Sequence, residues 1–124
     1  MKIEKGDRIT NYEDYVIIIT KKDLFSGCNL TPVATWDIDD KVVYFDGFFW
    51  DKITEHTRYE IIKHEISERE IFLKLGLSED DGIEAHKKSY RPSEKSLVEM
   101  FDILKRFDPL LTFDDFKNSY KGSN

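Results

Sequence analysis

The chain has 124 residues, of which 40% are hydrophobic and 14% aromatic, and its formal net charge is −6. This composition excludes an intrinsically disordered chain, and the length predicts one domain with its own core. Direct binding to nucleic acid is disfavoured, because displacing the counterions of a duplex takes a basic stripe, which this sequence lacks.

Cys28 is the single cysteine, so the chain forms neither an internal disulfide nor a thiolate zinc site. The first seven residues are too charged for a signal peptide, and the longest apolar run is too short to cross a membrane. We therefore expect a cytoplasmic protein that does not bind membranes.

Strand patterns dominate the first half of the chain. Residues 15–20 form a continuous β-branched run, which is typical of a strand buried on both faces. Residues 31–38 and 41–50 are predicted to pair antiparallel through a turn at Asp39 and Asp40, and Gly47 indicates a bulge or a sharp bend. A short strand near Gly6 and Asp7, followed by this meander, resembles an SH3-like barrel over residues 1–66.

The segment from 52 to 75 fits two structures. Adjacent Ile61 and Ile62 favour a last strand over residues 58–66, whereas Tyr59, Ile62 and Ile66 would share one face of a single long helix. We predict the strand, followed by a short helix over residues 68–75.

Helix signals dominate the rest of the chain. A capping box at Ser67 to Glu70 starts the helix over 68–75, and Gly76 ends it. Another helix is predicted from residue 79 to about residue 90, and Ser93 caps the next, over residues 94–107. A last short helix begins near Thr112. The helix over 94–107 has an apolar stripe of Leu97, Met100, Phe101 and Leu104.

These patterns predict an α+β fold in a single domain over residues 1–124. A β-rich part at about 1–66, either a small antiparallel β-meander or an SH3-like barrel, precedes three to four short helices at about 67–120. No internal repeat or low-complexity tract is evident.

Most of the negative charge lies beside the aromatic segment 41–50. Residues 32–51 hold five Asp and one Lys, which accounts for −4 of the net −6. Aromatic anchors with an acidic rim are typical of a protein interface. The residues predicted to bind a partner are Trp36, Asp37, Asp39, Asp40, Tyr44, Asp46, Phe48, Trp50 and Asp51.

We therefore expect a small acidic protein without catalytic residues, cofactor or metal. It would bind a protein partner with a basic surface and inhibit or regulate that partner by occlusion, as immunity proteins and mobile-element inhibitors do. A nucleic-acid-binding protein is one such partner in this hypothesis, although the chain itself would bind no nucleic acid.

Two alternatives come from other classes of protein. In the first, a metal-dependent hydrolase or nuclease uses Asp37, Asp39 and Asp46, together with His56 or His64. In the second, the chain is a structural component of a larger assembly.

His56 and His64 are candidate metal ligands because of their spacing from neighbouring Glu residues. His64-Glu65 begins like a zincin helix, but Glu68 stands where the second His would be. His56, Glu60 and His64 would share one face if the segment were helical, and we expect that face to be solvated.

Overall fold

The structure is a computed structural model that describes residues 3–21, 33–76 and 79–121. It divides into two compact units, Met1–Ile53 and Thr54–Asn124. The first unit holds a four-stranded sheet and the second is helical, so the predicted α+β order is confirmed. Cys28 and the beginning of the predicted strand 31–38 lie outside the described residues.

The sheet combines both strand orientations. Its strands β1 (Arg8–Tyr12), β2 (Tyr15–Thr20), β3 (Ala34–Trp36) and β4 (Val42–Asp46) lie in the order β1-β2-β4-β3. The pairs β1–β2 and β3–β4 are antiparallel, the second as predicted. However, β2 and β4 are parallel. The β part is therefore an open mixed sheet, and the prediction of an antiparallel meander or SH3-like barrel is corrected in this detail.

The two central strands carry the core of the first unit. Ile17, Ile18, Val43 and Phe45 are fully buried, and they come from both faces of β2 and β4. Burial of β2 on both faces, expected from its continuous apolar run, is confirmed.

The aromatic strand predicted over 41–50 ends at Asp46, where helix α1 (Gly47–Lys52) begins. The Phe49 backbone amide donates to Asp46 Oδ1 at 3.0 Å, so Asp46 is the N-cap of this helix. A Cβ at Gly47 would lie 2.2 Å from the Thr20 carbonyl oxygen. Gly47 therefore marks a close strand-to-helix turn, which is the sharp bend predicted there as the alternative to a bulge.

The second unit opens with the long helix α2 (Glu55–Leu75), so the strand predicted over 58–66 is wrong. Thr57, Glu60, Ile61 and His64 recur at helical spacing and are all buried. Three of these four residues are polar. Hydrophobic periodicity could not reveal the helix, because its buried face is held largely by hydrogen bonds.

The long helix also changes the role predicted for Ser67. This residue lies in the middle of α2, so the predicted capping box is wrong; its hydroxyl accepts a hydrogen bond from the Tyr90 amide at 2.9 Å. Gly76 ends the helix as predicted, with φ of 132° and its amide donating to the Phe72 carbonyl. The boundary between the β-rich and helical parts of the chain therefore lies between residues 53 and 54 instead of between 66 and 67.

Three further helices follow within residues 79–121, which the structure describes: α3 (Glu79–Lys88), α4 (Glu94–Leu104) and α5 (Phe113–Lys121). The predicted cap at Ser93 is confirmed, because its hydroxyl accepts from the Ser96 amide. The stripe of α4 buries Leu97, Met100 and Leu104, while the Phe101 ring lies 5.5 Å from that of Phe113. None of the helices in the described ranges combines the length and apolar content that a membrane span requires.

Candidate functional site

The residues predicted to bind a partner fall into two groups in the first unit. Trp36 ends β3, and Asp37, Asp39 and Asp40 lie in the turn that follows it, whereas Phe48, Trp50 and Asp51 belong to α1. Tyr44 and Asp46 lie on β4, between the two groups. Helix α1 follows β4 and the turn precedes it, so the two groups lie at opposite ends of a strand about 16 Å long. The structure therefore does not bring the predicted residues into one surface.

The β3–β4 turn has an acidic, exposed tip. Asp37 Oδ1 accepts hydrogen bonds from the backbone amides of Asp39 at 2.8 Å and Asp40 at 3.4 Å, which fixes the turn. The side chains of Asp39 and Asp40 are exposed, and Ile38 is 40% exposed between the carboxylates. We call residues 37–40 the acidic turn.

The aromatic residues divide between core and surface. Phe45 and Phe49 are fully buried, whereas Phe48 is 44% exposed. Trp50 is half-buried and meets Phe45 edge-to-face, with 5.0 Å between ring centroids. Trp36 and Tyr44, also half-buried, lie on β3 and β4.

Asp46 has to be removed from the predicted surface, because its side chain is fully buried as the cap of α1. Its burial also separates it from the metal site proposed for a hydrolase, since Asp37 and Asp39 lie beyond the other end of β4. In the described ranges, the one group of three or more metal-ligating side chains that converges lies in the helical unit.

A cleft of about 370 Å³ lies beside α1 in the first unit. Arg8 and Asp51 form an ion pair of 3.0 Å in it, so the predicted partner residue Asp51 already has a cationic neighbour. The exposed ring of Phe48 also lines this cleft.

Glu60, in the helical unit, is a buried carboxylate surrounded by hydrogen-bond donors. It accepts from Tyr90 Oη at 2.8 Å, from the Ser93 amide at 3.0 Å, and from the hydroxyls of Ser93 and Ser96. Burial alone would raise the pKa of Glu60, but these hydrogen bonds outweigh burial and lower it to about 2. Glu60 is therefore a structural anion, and His56 Nε2 lies 2.9 Å from it.

Glu99 makes the complementary contacts at the beginning of α2. Its carboxylate accepts from the amide and hydroxyl of Thr54 and from the hydroxyl of Thr57. Residues 54–60 read T-E-H-T-R-Y-E and residues 93–99 read S-E-K-S-L-V-E. This seven-residue repeat is not evident from the sequence alone, because it is short and its two copies are separated by 32 residues.

His64, Glu68 and His86 converge between α2 and α3, with one ligand atom of each within 4.8 Å of the others. Glu68 Oε2 lies 3.3 Å from His64 Nε2 and 2.8 Å from His86 Nδ1. The two imidazole rings meet edge-to-face with centroids 5.2 Å apart. We call these three residues the His–Glu–His cluster.

The helical spacing of four residues places His64 and Glu68 on one face of α2, and α3 then supplies His86. The face of His56, Glu60 and His64 is not solvated as expected, because Glu60 and His64 are buried and of the three only His56 is exposed. The face is divided between two clusters. Glu68 stands where a zincin helix has its second His, and its carboxylate is itself a metal donor. No sequence signal pointed to His86, which lies 18 residues from Glu68.

Electrostatics in the cluster favour a positive charge. A hydrogen bond to Glu68 is the main cause that raises the pKa of His86, and a bond to the Ser119 carbonyl adds to it against the effect of burial. Burial, followed by the charge of Glu68, raises the pKa of neighbouring Glu65 well above its usual range. The carboxylate that contacts both imidazoles is that of Glu68, as the distances from its Oε2 show.

Comparisons of the chain with protein-family models, with curated proteins and with solved structures found no match. The function is therefore argued from the residues and their geometry.

Proposed function

We propose that this chain is a small acidic binding protein whose acidic turn docks on a basic surface of a protein partner and regulates that partner by occlusion. The observation that carries the proposal is the exposed turn tip, where Ile38 lies among Asp37, Asp39 and Asp40. An exposed apolar side chain with acidic neighbours in the same turn complements a surface of Lys and Arg around an apolar contact.

The charge distribution supports the same proposal. Lys41, the one cation among residues 32–51, is bonded to Asp14, so it faces another acid. The negative charge of this region would steer a cationic partner and raise the rate of association. Asp37 has a second role, because its bonds to the Asp39 and Asp40 amides hold the turn before the partner arrives.

The test compares two variants with equal net charge. Asp39→Asn with Asp40→Asn removes the exposed carboxylates of the turn, and Glu84→Gln with Asp102→Asn removes two exposed carboxylates of the helical unit. Wild type and both variants are immobilised, and cationic proteins captured from the source cells are identified by mass spectrometry. A protein lost with the turn variant alone is then purified and titrated at low and high salt.

We expect the turn variant to bind that protein about tenfold more weakly, with a reduced salt dependence, because rim charges contribute mainly to association. The helical-unit variant should bind as wild type does. Equal retention by the turn variant and wild type would contradict the proposal. Sedimentation of the free chain tests the alternative of a component of a larger assembly, which predicts self-association.

A further inference from the structure

The His–Glu–His cluster presents three electron-pair donors to one point. Carbonyl oxygens only accept hydrogen bonds, so the nitrogens that contact them carry the protons. His64 Nδ1 donates to the Tyr90 carbonyl at 2.8 Å, and His86 Nε2 donates to the Ser119 carbonyl. The remaining nitrogens, His64 Nε2 and His86 Nδ1, both face Glu68 Oε2.

A carboxylate and two imidazole lone pairs repel one another unless a positive charge lies between them. Protons can supply that charge, and so can a metal ion. From this geometry we propose that His64, Glu68 and His86 bind a divalent ion of the zinc class, through His64 Nε2, the Glu68 carboxylate and His86 Nδ1.

The separations between the donor atoms fit such an ion. Tetrahedral zinc with bonds of about 2.0–2.2 Å holds its ligand atoms about 3.4 Å apart. The cluster has separations of 2.8 and 3.3 Å to Glu68, and all three donors lie within 4.8 Å of one another. Because every pair of donors lies within 4.8 Å, side-chain shifts of no more than about 1.4 Å bring all three to the separation of about 3.4 Å that zinc requires.

The outer contacts of the two imidazoles are those of metal ligands. A ligating His commonly donates its other N–H to a carbonyl or carboxylate, which fixes the tautomer and orients the ring. Both His64 and His86 do this through backbone carbonyls. His64 is anchored further by Ser89, whose hydroxyl lies 3.1 Å from Nδ1 and donates to the His86 carbonyl.

Donor chemistry decides the class of ion, and burial decides its access. Two imidazoles and one carboxylate suit zinc and neighbouring transition metals, whereas magnesium and calcium prefer oxygen alone. The side chain of His64 is 3% exposed, but those of Glu68 and His86 are 19% and 36% exposed, which leaves a route for the ion. Three protein ligands leave a further position to water or another ligand, unlike a closed four-ligand site.

The test uses the full chain after removal of metal with a chelator. Zn²⁺ is titrated by calorimetry, and Co²⁺ is titrated while the visible absorption of its tetrahedral form is recorded. We expect one equivalent of Zn²⁺ to bind with a Kd of roughly 1 µM or tighter, and Mg²⁺ on the order of 1 mM to give no heat. In NMR spectra of the wild type, the imidazole signals of His64 and His86 should shift when zinc is added, while those of His56 should not.

Four variants assign the site. His86→Gln and Glu68→Gln should weaken zinc binding by more than about 100-fold, because loss of an outer-shell partner alone costs 10–100-fold. His56→Gln replaces the remaining histidine, which is exposed, and Cys28→Ser removes the thiol; both should bind zinc as wild type does. Circular dichroism confirms that each variant is folded.

The proposal is overturned if the wild type takes up neither Zn²⁺ nor Co²⁺, since protons alone would then complete the cluster. It is equally overturned if binding survives both ligand substitutions, or if it is lost with His56 or Cys28. This test is independent of the proposed function, because none of residues 37–40 belongs to the His–Glu–His cluster.

Discussion

Glu60 and Glu99 each accept hydrogen bonds at the beginning of the other's helix. Glu60, on α2, binds Ser93 and Ser96 at the start of α4, and Glu99, on α4, binds Thr54 and Thr57 at the start of α2. Each Glu is the sixth residue after its own N-cap. Backbone amides at a helix start lack intrahelical partners and carry partial positive charge, so a carboxylate there is stabilising. The pair therefore fixes the register of α2 against α4 by polar contacts.

Substitution of Glu60 should be among the most destabilising changes in the helical unit. Glu60→Gln removes the charge and turns an NH₂ group toward donors, so buried hydroxyls lose their acceptor. We expect the free energy of unfolding to fall by about 3 kcal/mol, measured by urea denaturation. Glu55→Gln, at an exposed position in the first turn of the same helix, should cost no more than about 0.5 kcal/mol. Similar losses for the two variants would contradict the capping role of Glu60.

The low pKa of Glu60 makes the stability of the folded chain depend on pH. This pKa is about 2 in the folded chain and close to 4.5 without these contacts, so the folded state favours the ionised form. The resulting stability is present above about pH 4.5 and is lost as the pH falls toward 2, by about 3 kcal/mol in all. Other carboxylates titrate in this range, so the measured quantity is the difference between wild type and Glu60→Gln. That difference should shrink on acidification; a constant difference would argue against the prediction.

Thr57 links the two capping groups, because its hydroxyl donates to Glu99 at 2.7 Å and lies 3.3 Å from the Ser96 hydroxyl. Thr57→Val keeps the shape of this fully buried side chain and leaves Glu99 with one donor fewer. We expect a loss of about 1–2 kcal/mol in unfolding free energy. Thr10→Val, on the exposed face of β1, is the matched control and should change stability by less than about 0.5 kcal/mol.

Replacing Gly47 or Gly82 by alanine should change the stability of the chain in opposite directions. At Gly47 a Cβ would lie 2.2 Å from a backbone oxygen, so Gly47→Ala forces the strand-to-helix turn apart and should cost about 2 kcal/mol or more. At Gly82, within α3, the nearest atom is Phe72 Cε1 at 3.7 Å, an ordinary contact. Gly82→Ala should therefore stabilise the chain by roughly 0.5–1 kcal/mol through helix propensity. Thermal unfolding of both variants checks the opposite signs.

Several elements were predictable because their causes are local. The β-branched run at 15–20, the caps at Ser93 and Gly76, and the stripe of α4 depend on neighbouring residues, and the structure has each of them. The acidic turn was also placed correctly, because a short connection between two strand patterns fixes where the chain reverses.

The sequence by itself determined the α+β order of the chain, the positions of its clearest strand and helices, and the location of its negative charge. Tertiary structure alone decided that β2 and β4 are parallel, that Asp46 is buried, and that α2 is a helix. It also decided that His86 meets His64 and Glu68, and that Glu60 and Glu99 exchange caps. The long helix, the His–Glu–His cluster and the caps by Glu60 and Glu99 depend on polar groups satisfied by partners distant in sequence, which periodicity and spacing do not record. Asp46 differs, because it caps α1 from only three residues away.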